Sequence, residues 1–169
     1  MYSANGANTA IFVTANTHNN CKVGINITNA HENKIVRDTL SCKDINIFIK
    51  DTQSENNISG ITISDGNFGI RIEQTKYINV RNSKIENTFS GLYMSNDTYT
   101  YVLNSNFTSN YFGFLAYTSR DTTFNQSRFN SNVNGGSVMR SVNLNFINIT
   151  ANSNSKNGLI IDLYSNNIN

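Results

Sequence analysis

Short runs of alternating apolar and polar residues recur along the chain with a period of 22 or 23 residues. One run is Gly69-Ile70-Arg71-Ile72, and similar runs begin at positions 24, 46, 91, 113, 135 or 136, and 158. Two further apolar ladders share the period: Ile58, Val80, Val102, Phe124 and Phe146, and Ile63, Ile85, Phe107 and Phe129. Three ladders with one period indicate an internal repeat.

Within each repeat the apolar residues alternate over three to five positions, which is the periodicity of short β-strands. Gly, Asn, Ser and Asp separate these runs and leave no room for helices. Such strands can satisfy their hydrogen bonds by pairing with their copies one repeat later, in parallel and about 4.8 Å apart. The sequence therefore predicts an all-β protein, a right-handed single-stranded parallel β-helix of about seven rungs of 22 residues. Residues 1–169 form a single domain in this interpretation, expected to be a segment of a longer or oligomeric protein.

A carboxamide slot runs through the repeat at intervals of 22 residues: Asn82, Asn104, Gln126 and Asn148. Each lies two residues after the apolar residue of a strand. An amide side chain at a corner can bond the local backbone and bend the chain. Stacked amides can also bond one another along the axis. We therefore expect a structural role for this slot.

The composition adds limits on function. The chain of 169 residues is 38% hydrophobic and 14% charged, with 32 Asn, and its 10 Phe and 8 Tyr favour a packed core over disorder. The net charge is +2 without any basic run, so a nucleic-acid groove is not supported. No apolar stretch is long enough for a membrane span. Residues 1–15 lack the basic start and apolar centre of a signal peptide.

The repeat, Gly-φ-x-φ followed by φ-x-φ-x-Asn and φ-x-x-Asn, resembles that of the pectate-lyase-like right-handed β-helix superfamily, from about residue 10 to the end. Phe107-Thr108-Ser109-Asn110, Phe129-Asn130-Ser131-Asn132 and Gly135-Gly136-Ser137-Val138 are also similar to repeats of bacterial polymorphic outer-membrane adhesins. The superfamily includes polysaccharide lyases and hydrolases, phage tailspikes and surface adhesins. The resemblance implies an extracellular, cell-surface or virion location and a polysaccharide or cell-surface glycan as partner. Because such folds share architecture and not chemistry, function depends on the site.

In this superfamily the outward face of the first strand, with its adjacent loops, usually forms the saccharide groove. The resemblance places these outward residues there: Arg71, Tyr93, Leu115, Ser137 or Val138, and Ile160. Tyr93 and Tyr117 would stack on sugar rings, and Arg71 or Arg120 would contact the ligand. Three carboxylates recur beside the strand at intervals of 24: Glu73, Asp97 and Asp121.

Two interpretations of the carboxylates remain open. They could perform acid–base chemistry on a glycosidic bond, or hold Ca²⁺ against a uronic acid while an arginine removes a proton. They could instead be solvated turn residues, which the sequence favours because the acidic clusters of pectin-degrading relatives are missing. No cofactor and no metal site is predicted, apart from Ca²⁺ if the protein is a lyase.

The outward column Tyr93, Leu115, Val138 and Ile160 is apolar where a solvated strand would be polar. A contiguous apolar stripe on a surface usually marks a contact. The partner could be a covering loop, a flat ligand, or another subunit, as in a homotrimer or a contact with other β-helix segments. A slip of the register by one residue near Gly135 and Gly136 would remove part of the stripe.

Cys21 and Cys42 are 21 residues apart and should occupy neighbouring rungs. They would form a disulfide in an oxidising compartment or remain two stacked free thiols. Overall, the sequence favours a non-catalytic surface or virion module, resembling a tailspike or adhesin, that displays or binds carbohydrate. The alternatives are a small polysaccharide lyase or glycoside hydrolase and a purely structural spacer.

Overall fold

The computed structural model describes residues 10–169 and the backbone of residues 2–5. Throughout these residues the regular elements are β-strands, 21 in number, which form three parallel sheets. Every strand pairs with its counterpart one rung later, where a rung is one turn of the chain through the sheets. The predicted all-β, right-handed parallel β-helix of about seven turns is confirmed.

The first and second sheets each contain eight strands, and the third contains five. The first sheet consists of β1 (Tyr2–Asn5), β4 (Val23–Thr28), β7 (Ile45–Lys50), β10 (Phe68–Glu73), β13 (Ser90–Ser95), β16 (Phe112–Tyr117), β18 (Asn134–Met139) and β20 (Asn157–Ile161). The second consists of β2 (Phe12–Thr14), β5 (Lys34–Val36), β8 (Asn56–Ser59), β11 (Lys76–Arg81), β14 (Thr98–Leu103), β17 (Arg120–Asn125), β19 (Val142–Ile147) and β21 (Asn166–Ile168). The third consists of β3 (Thr17–Asn19), β6 (Thr39–Ser41), β9 (Thr62–Ser64), β12 (Lys84–Glu86) and β15 (Asn106–Thr108).

The third sheet shortens towards the later rungs. After β15 it continues only as isolated bridges from Asn106 to Arg128 and from Arg128 to Thr150. The prediction of three strands per repeat therefore holds for the earlier rungs and weakens in the last ones. The first and second sheets continue through β20 and β21, so they form the two faces that span the rod.

The apolar ladders of the sequence are stacked columns in the interior. Column members in the described residues are mostly shielded from solvent, with exposed fractions near zero for Ile70, Val80 and Phe107. The early rungs are filled by Ile, Val and Leu, and the later rungs by Phe. The rings of Phe107 and Phe129 stack with centroids 5.2 Å apart. Burial of this continuous apolar column is the main stabilising contribution to the fold.

Gly136 shows how the later rungs accommodate the aromatic residues. The strand register aligns Gly136 with Phe114 of the preceding rung. The Phe114 ring occupies the space where a Cβ atom of Gly136 would lie. The ring also packs 4.5 Å from Phe124 and 4.9 Å from Phe129, measured between centroids. A large residue and a glycine in consecutive rungs therefore share one interior volume.

Three corners connect the sheets: the first leads from the first sheet to the second, the second leads to the third sheet, and the third returns to the first sheet. The carboxamide slot lies at the second corner, where Asn82, Asn104, Gln126 and Asn148 have φ of 50°, 47°, 50° and 50°. Asn and Gly tolerate this left-handed conformation best. The Asn104 side-chain amide donates to Asn82 Oδ1 over 2.9 Å. The predicted structural role of the slot is confirmed.

A second amide ladder lies inside the third corner, at the φ-x-x-Asn position of the repeat. Asn110 Oδ1 accepts from the backbone N–H of Thr88 over 2.9 Å, and Asn132 Oδ1 accepts from that of Asn110 over 2.8 Å. Asn154 Oδ1 continues the pattern to Asn132 over 2.9 Å. Each side chain satisfies a buried donor of the previous rung, which would otherwise cost about 1–3 kcal/mol.

Candidate functional site

The outward face of the first sheet carries three of the candidate ligand-binding residues. The register aligns Arg71 with Tyr93, Tyr93 with Leu115, Leu115 with Ser137, and Ser137 with Ile160. Val138 belongs to the interior column and is fully buried. The predicted apolar stripe is therefore wrong at Val138, because Gly135 rather than Gly136 aligns with the other glycines of the repeat.

Arg71 is enclosed by neighbouring side chains on this face. Its guanidinium carbon lies 5.4 Å from the ring centroid of Phe48, 5.0 Å from that of Phe68 and 5.6 Å from that of Tyr93. Its Nη2 atom lies 2.5 Å from Glu73 Oε1, and its Nε–H donates to the same oxygen over 2.7 Å. Cation–π contacts and the ion pair therefore engage both the faces and the edge of this guanidinium.

Tyr93 and Tyr117 line one shallow concavity on the first sheet. Its volume is about 290 Å³, and the residues around it are Tyr93, Leu115, Ala116, Tyr117 and Met139. Tyr117 is 38% exposed and Met139 is 43% exposed, so both rims are accessible to a ligand. We call this feature the tyrosine concavity.

Arg140 provides a cation at the edge of the tyrosine concavity. Its Nη1–H donates to the Tyr117 hydroxyl over 3.2 Å, and its guanidinium carbon lies 5.9 Å from the ring centroids of Tyr117 and Tyr164. Within residues 10–169 this guanidinium forms no ion pair. The sequence did not identify Arg140, because its contacts join residues from three rungs at the first corner.

Arg120 lies on a different surface. It begins β17 in the second sheet, and its side chain is exposed there. The chain turns between Tyr117 and Arg120 through Thr118, whose φ is 52°. The two candidates are three residues apart in sequence, yet the first corner separates them.

The three candidate carboxylates lie in three different environments. Glu73 is at the end of β10 and is held by Arg71. Asp121 lies in β17 of the second sheet, where its Oδ1 accepts from the Asn143 amide over 2.8 Å. Asp97 is inside the first corner and only 1% exposed. The expectation that they share one flank is therefore wrong, because a spacing of 24 in a 22-residue repeat moves each one two positions around the rung.

Asp97 belongs to an internal polar ladder at the first corner. Its carboxylate accepts hydrogen bonds from the hydroxyl of Thr100 over 2.6 Å and from the hydroxyl of Ser119. Ser119 N–H in turn donates to Ser141 Oγ over 3.1 Å. Burial raises the pKa of Asp97 above its usual value, and the two hydroxyl hydrogen bonds only partly oppose this effect. This side chain holds the corner together and is inaccessible to a polymer on the surface.

A larger concavity of about 380 Å³ lies on the second sheet. Glu32, Lys34, Glu55 and Asn57 line it, so charges of both signs and an amide surround it. No aromatic ring is among these residues. This concavity therefore lacks the stacking surface that the tyrosine concavity offers.

Cys21 and Cys42 lie at the third corner of consecutive rungs. Their Cα atoms are 4.6 Å apart, and the structure joins them in a disulfide. Among the described residues, no three His, Cys, Asp or Glu side chains converge as metal ligands would. No helix in the described part of the chain has the length and apolar character that crossing a membrane requires.

Comparison with known proteins gives one family. The sequence model of the family described as "Right handed beta helix region" matches residues 2–169. No curated protein matches the sequence.

Two solved structures share the fold at low sequence identity. The A-module of the Azotobacter vinelandii mannuronan C-5 epimerase AlgE4 has a TM-score of 0.57 and 12% identity, over 95% of this chain and 57% of the module. The A-module of the AlgE6 epimerase from the same organism has a TM-score of 0.46 and 11% identity, over 90% of this chain and 58% of that module. The chain thus spans somewhat more than half the length of these modules.

Proposed function

The chain belongs to the right-handed β-helix family, and we propose that it is a non-catalytic rod that binds polysaccharide through the tyrosine concavity. The observation that carries this proposal is the pairing of Tyr93 and Tyr117 around one apolar depression on the first sheet. Tyrosine rings present an apolar face to the C–H groups of a sugar and a hydroxyl to its polar edge. Few other surface features provide both contacts within one depression.

The geometry of the rod suits a linear polymer. Tyr93 and Leu115 lie in adjacent strands of a parallel sheet, so the floor of the concavity repeats at roughly 4.8 Å along the axis. A polymer that lies along this axis would meet a similar surface at each rung. Arg140 at the edge can donate hydrogen bonds to sugar oxygens through the guanidinium N–H groups that Tyr117 leaves unoccupied.

The placement of the carboxylates supports binding without cleavage. Acid–base cleavage of a glycosidic bond needs two carboxyl groups on opposite sides of the bond. Glu73 is engaged by Arg71, Asp97 is buried, and Asp121 lies beyond the first corner. We therefore place the lyase or hydrolase alternative second, with no residue pair assigned to it, and make it an outcome of the test.

The proposal includes a location outside the reducing cytoplasm. The Cys21–Cys42 disulfide supports this, because disulfides persist mainly in oxidising compartments. A surface or virion position, with a cell-surface glycan as the ligand, follows from the same argument. A purely structural spacer would not need an exposed aromatic depression.

The test is binding of the full chain to a glycan array, with and without Ca²⁺, for the wild type and Tyr117→Ala. Tyr99→Ala is the matched control, since Tyr99 is 48% exposed but lies on the second sheet. We expect Tyr117→Ala to weaken binding about 10-fold or more, in line with the loss of one ring contact, and Tyr99→Ala to leave it unchanged. Equal loss in both variants, or no binding by the wild type, would refute the proposal. Shortened or unsaturated products would assign the chain to the enzyme class instead.

A further inference from the structure

The first corner after β20 presents an exposed apolar projection. Leu163 is 98% exposed and Tyr164 is 72% exposed, which is unusual for two neighbouring large apolar residues. We call this pair the Leu–Tyr knob. A fully exposed leucine gains about 1.5–3 kcal/mol when a partner covers it completely.

The turn that carries the knob is held by Asp162. Its Oδ1 atom accepts from the Ser165 hydroxyl over 2.7 Å, from the Tyr164 N–H over 3.2 Å and from the Arg140 N–H over 3.1 Å. These three hydrogen bonds fix the turn against the preceding rung. The knob is therefore ordered before any partner arrives, so little conformational entropy is lost when it is covered.

The knob and the tyrosine concavity are neighbours on the molecule. Arg140 links them, because its guanidinium lies 5.9 Å from the ring of Tyr117 on one side and 5.9 Å from the ring of Tyr164 on the other. A projection and a depression, both apolar, thus lie side by side. This is the arrangement a self-complementary surface needs, since a two-fold axis places each projection opposite the other copy's depression.

The charges of this surface are also complementary to themselves. Arg140 has no ion-pair partner in the part of the chain that the structure describes. Asp162 is exposed, and its hydrogen bonds, chiefly that from Ser165, lower the pKa of its carboxyl, so it is ionised near neutral pH. One unpaired cation and one anion on the same surface exchange partners across a two-fold axis, whereas two like charges would repel.

We propose that two copies of this chain associate through a two-fold interface in which the Leu–Tyr knob of each fills the tyrosine concavity of the other. In this dimer the rods lie with their first-sheet faces together, and Arg140 of each copy faces the second copy's Asp162. The interface covers the surface to which we assign polysaccharide binding. Dimer and ligand therefore compete, and this consequence rests on the proposed function, although the dimer itself does not.

The experiment measures the dissociation constant of the dimer by sedimentation velocity, over a dilution series from about 300 µM to about 1 µM. The variants are Leu163→Asp, Arg140→Glu and, as a matched control, Phe12→Asp. Phe12 is 63% exposed and lies on the second sheet. We expect Leu163→Asp to raise the dissociation constant at least 100-fold, because each dimer loses two leucine contacts. Arg140→Glu should also raise it, and Phe12→Asp should leave it unchanged.

Three results would overturn the inference: a wild type that stays monomeric throughout the series, a Leu163→Asp variant that dimerises like the wild type, or an equal loss in Phe12→Asp. Glycan binding by the monomeric Leu163→Asp variant separates this inference from the proposed function. Glycan binding without any wild-type dimer leaves the function and removes the dimer. A dimer that Leu163→Asp abolishes, with no glycan binding by any variant, leaves the dimer and removes the function.

Discussion

Replacement of Gly91 by alanine tests whether close contact between consecutive rungs limits the first sheet. A Cβ atom on Gly91 would lie 2.6 Å from the carbonyl oxygen of Gly113 and 2.9 Å from Cδ1 of Phe107. Ordinary contacts begin near 3.4 Å, so β16 would have to move by about 0.8 Å. The carbonyl belongs to the backbone of a paired strand, which cannot rotate away as a flexible side chain could.

The expected cost follows from two opposing effects. Overpacking of this kind costs about 1–3 kcal/mol, whereas alanine gains about 0.4–1 kcal/mol by restricting the unfolded chain. We therefore expect Gly91→Ala to lower the free energy of unfolding by about 1–2 kcal/mol. Gly158 occupies the same slot, but its nearest Cβ contact would be 3.5 Å away. Gly158→Ala should therefore be neutral or stabilising by up to about 1 kcal/mol.

The assay is equilibrium urea denaturation followed by far-UV circular dichroism and tyrosine fluorescence. Gly135→Ala controls for position along the rod, because it lies one rung before Gly158 and its Cβ would collide with the Gly158 carbonyl oxygen. It should behave like Gly91→Ala. If Gly91→Ala, Gly135→Ala and Gly158→Ala agree within about 0.5 kcal/mol, the argument from inter-rung contact is wrong.

Three further predictions concern stability. Because burial raises the folded pKa of Asp97 above 3.8, the wild type should lose stability as pH rises from about 3.8 through that folded pKa; Asp97→Asn should remove this decline in pH-dependent urea titrations, and an unchanged decline would contradict the assignment. Gly60→Asn should raise the melting temperature and the unfolding free energy by about 0.4–1 kcal/mol, since Gly60 has φ of 63° in the slot of Asn82 and its Cβ would meet nothing closer than 3.5 Å; a loss of stability would show that the slot needs glycine there. Replacing Cys21 and Cys42 together by serine should cost about 2–4 kcal/mol relative to the oxidised protein, and equal denaturation midpoints with and without reductant would show that the disulfide contributes nothing.

The fold was predictable because its signal repeats. The ladder from Val80 to Phe146 fixes the period four times, and a parallel sheet converts that period directly into register. The register was ambiguous only at Gly135 and Gly136, where two adjacent glycines give no side chain to follow. The structure resolves it through the volume of Phe114, which is a contact between rungs that periodicity does not contain.

The site was less predictable, because it depends on which way each side chain points at a corner. Tyr93 and Tyr117 were identified, since outward strand positions follow from alternation. Asp97 appeared as a surface acid, yet one position along the corner decides between outside and inside. Arg140 was missed because its role depends on Tyr117 and Tyr164, which are 47 residues apart and meet only through stacking of the rungs.

The shared volume of Phe114 and Gly136 has a consequence for how such a chain can evolve. A single period invites unequal recombination, which inserts or deletes one whole repeat at a time. Here a deletion that removed the Gly136 repeat would bring Leu159 against the Phe114 ring, because Leu159 follows Gly136 in the same column. A duplicated copy of the Phe114 repeat would set two phenyl rings in the space of one. The early aliphatic rungs can therefore be gained or lost as modules, whereas the later aromatic rungs can be inherited only as a block.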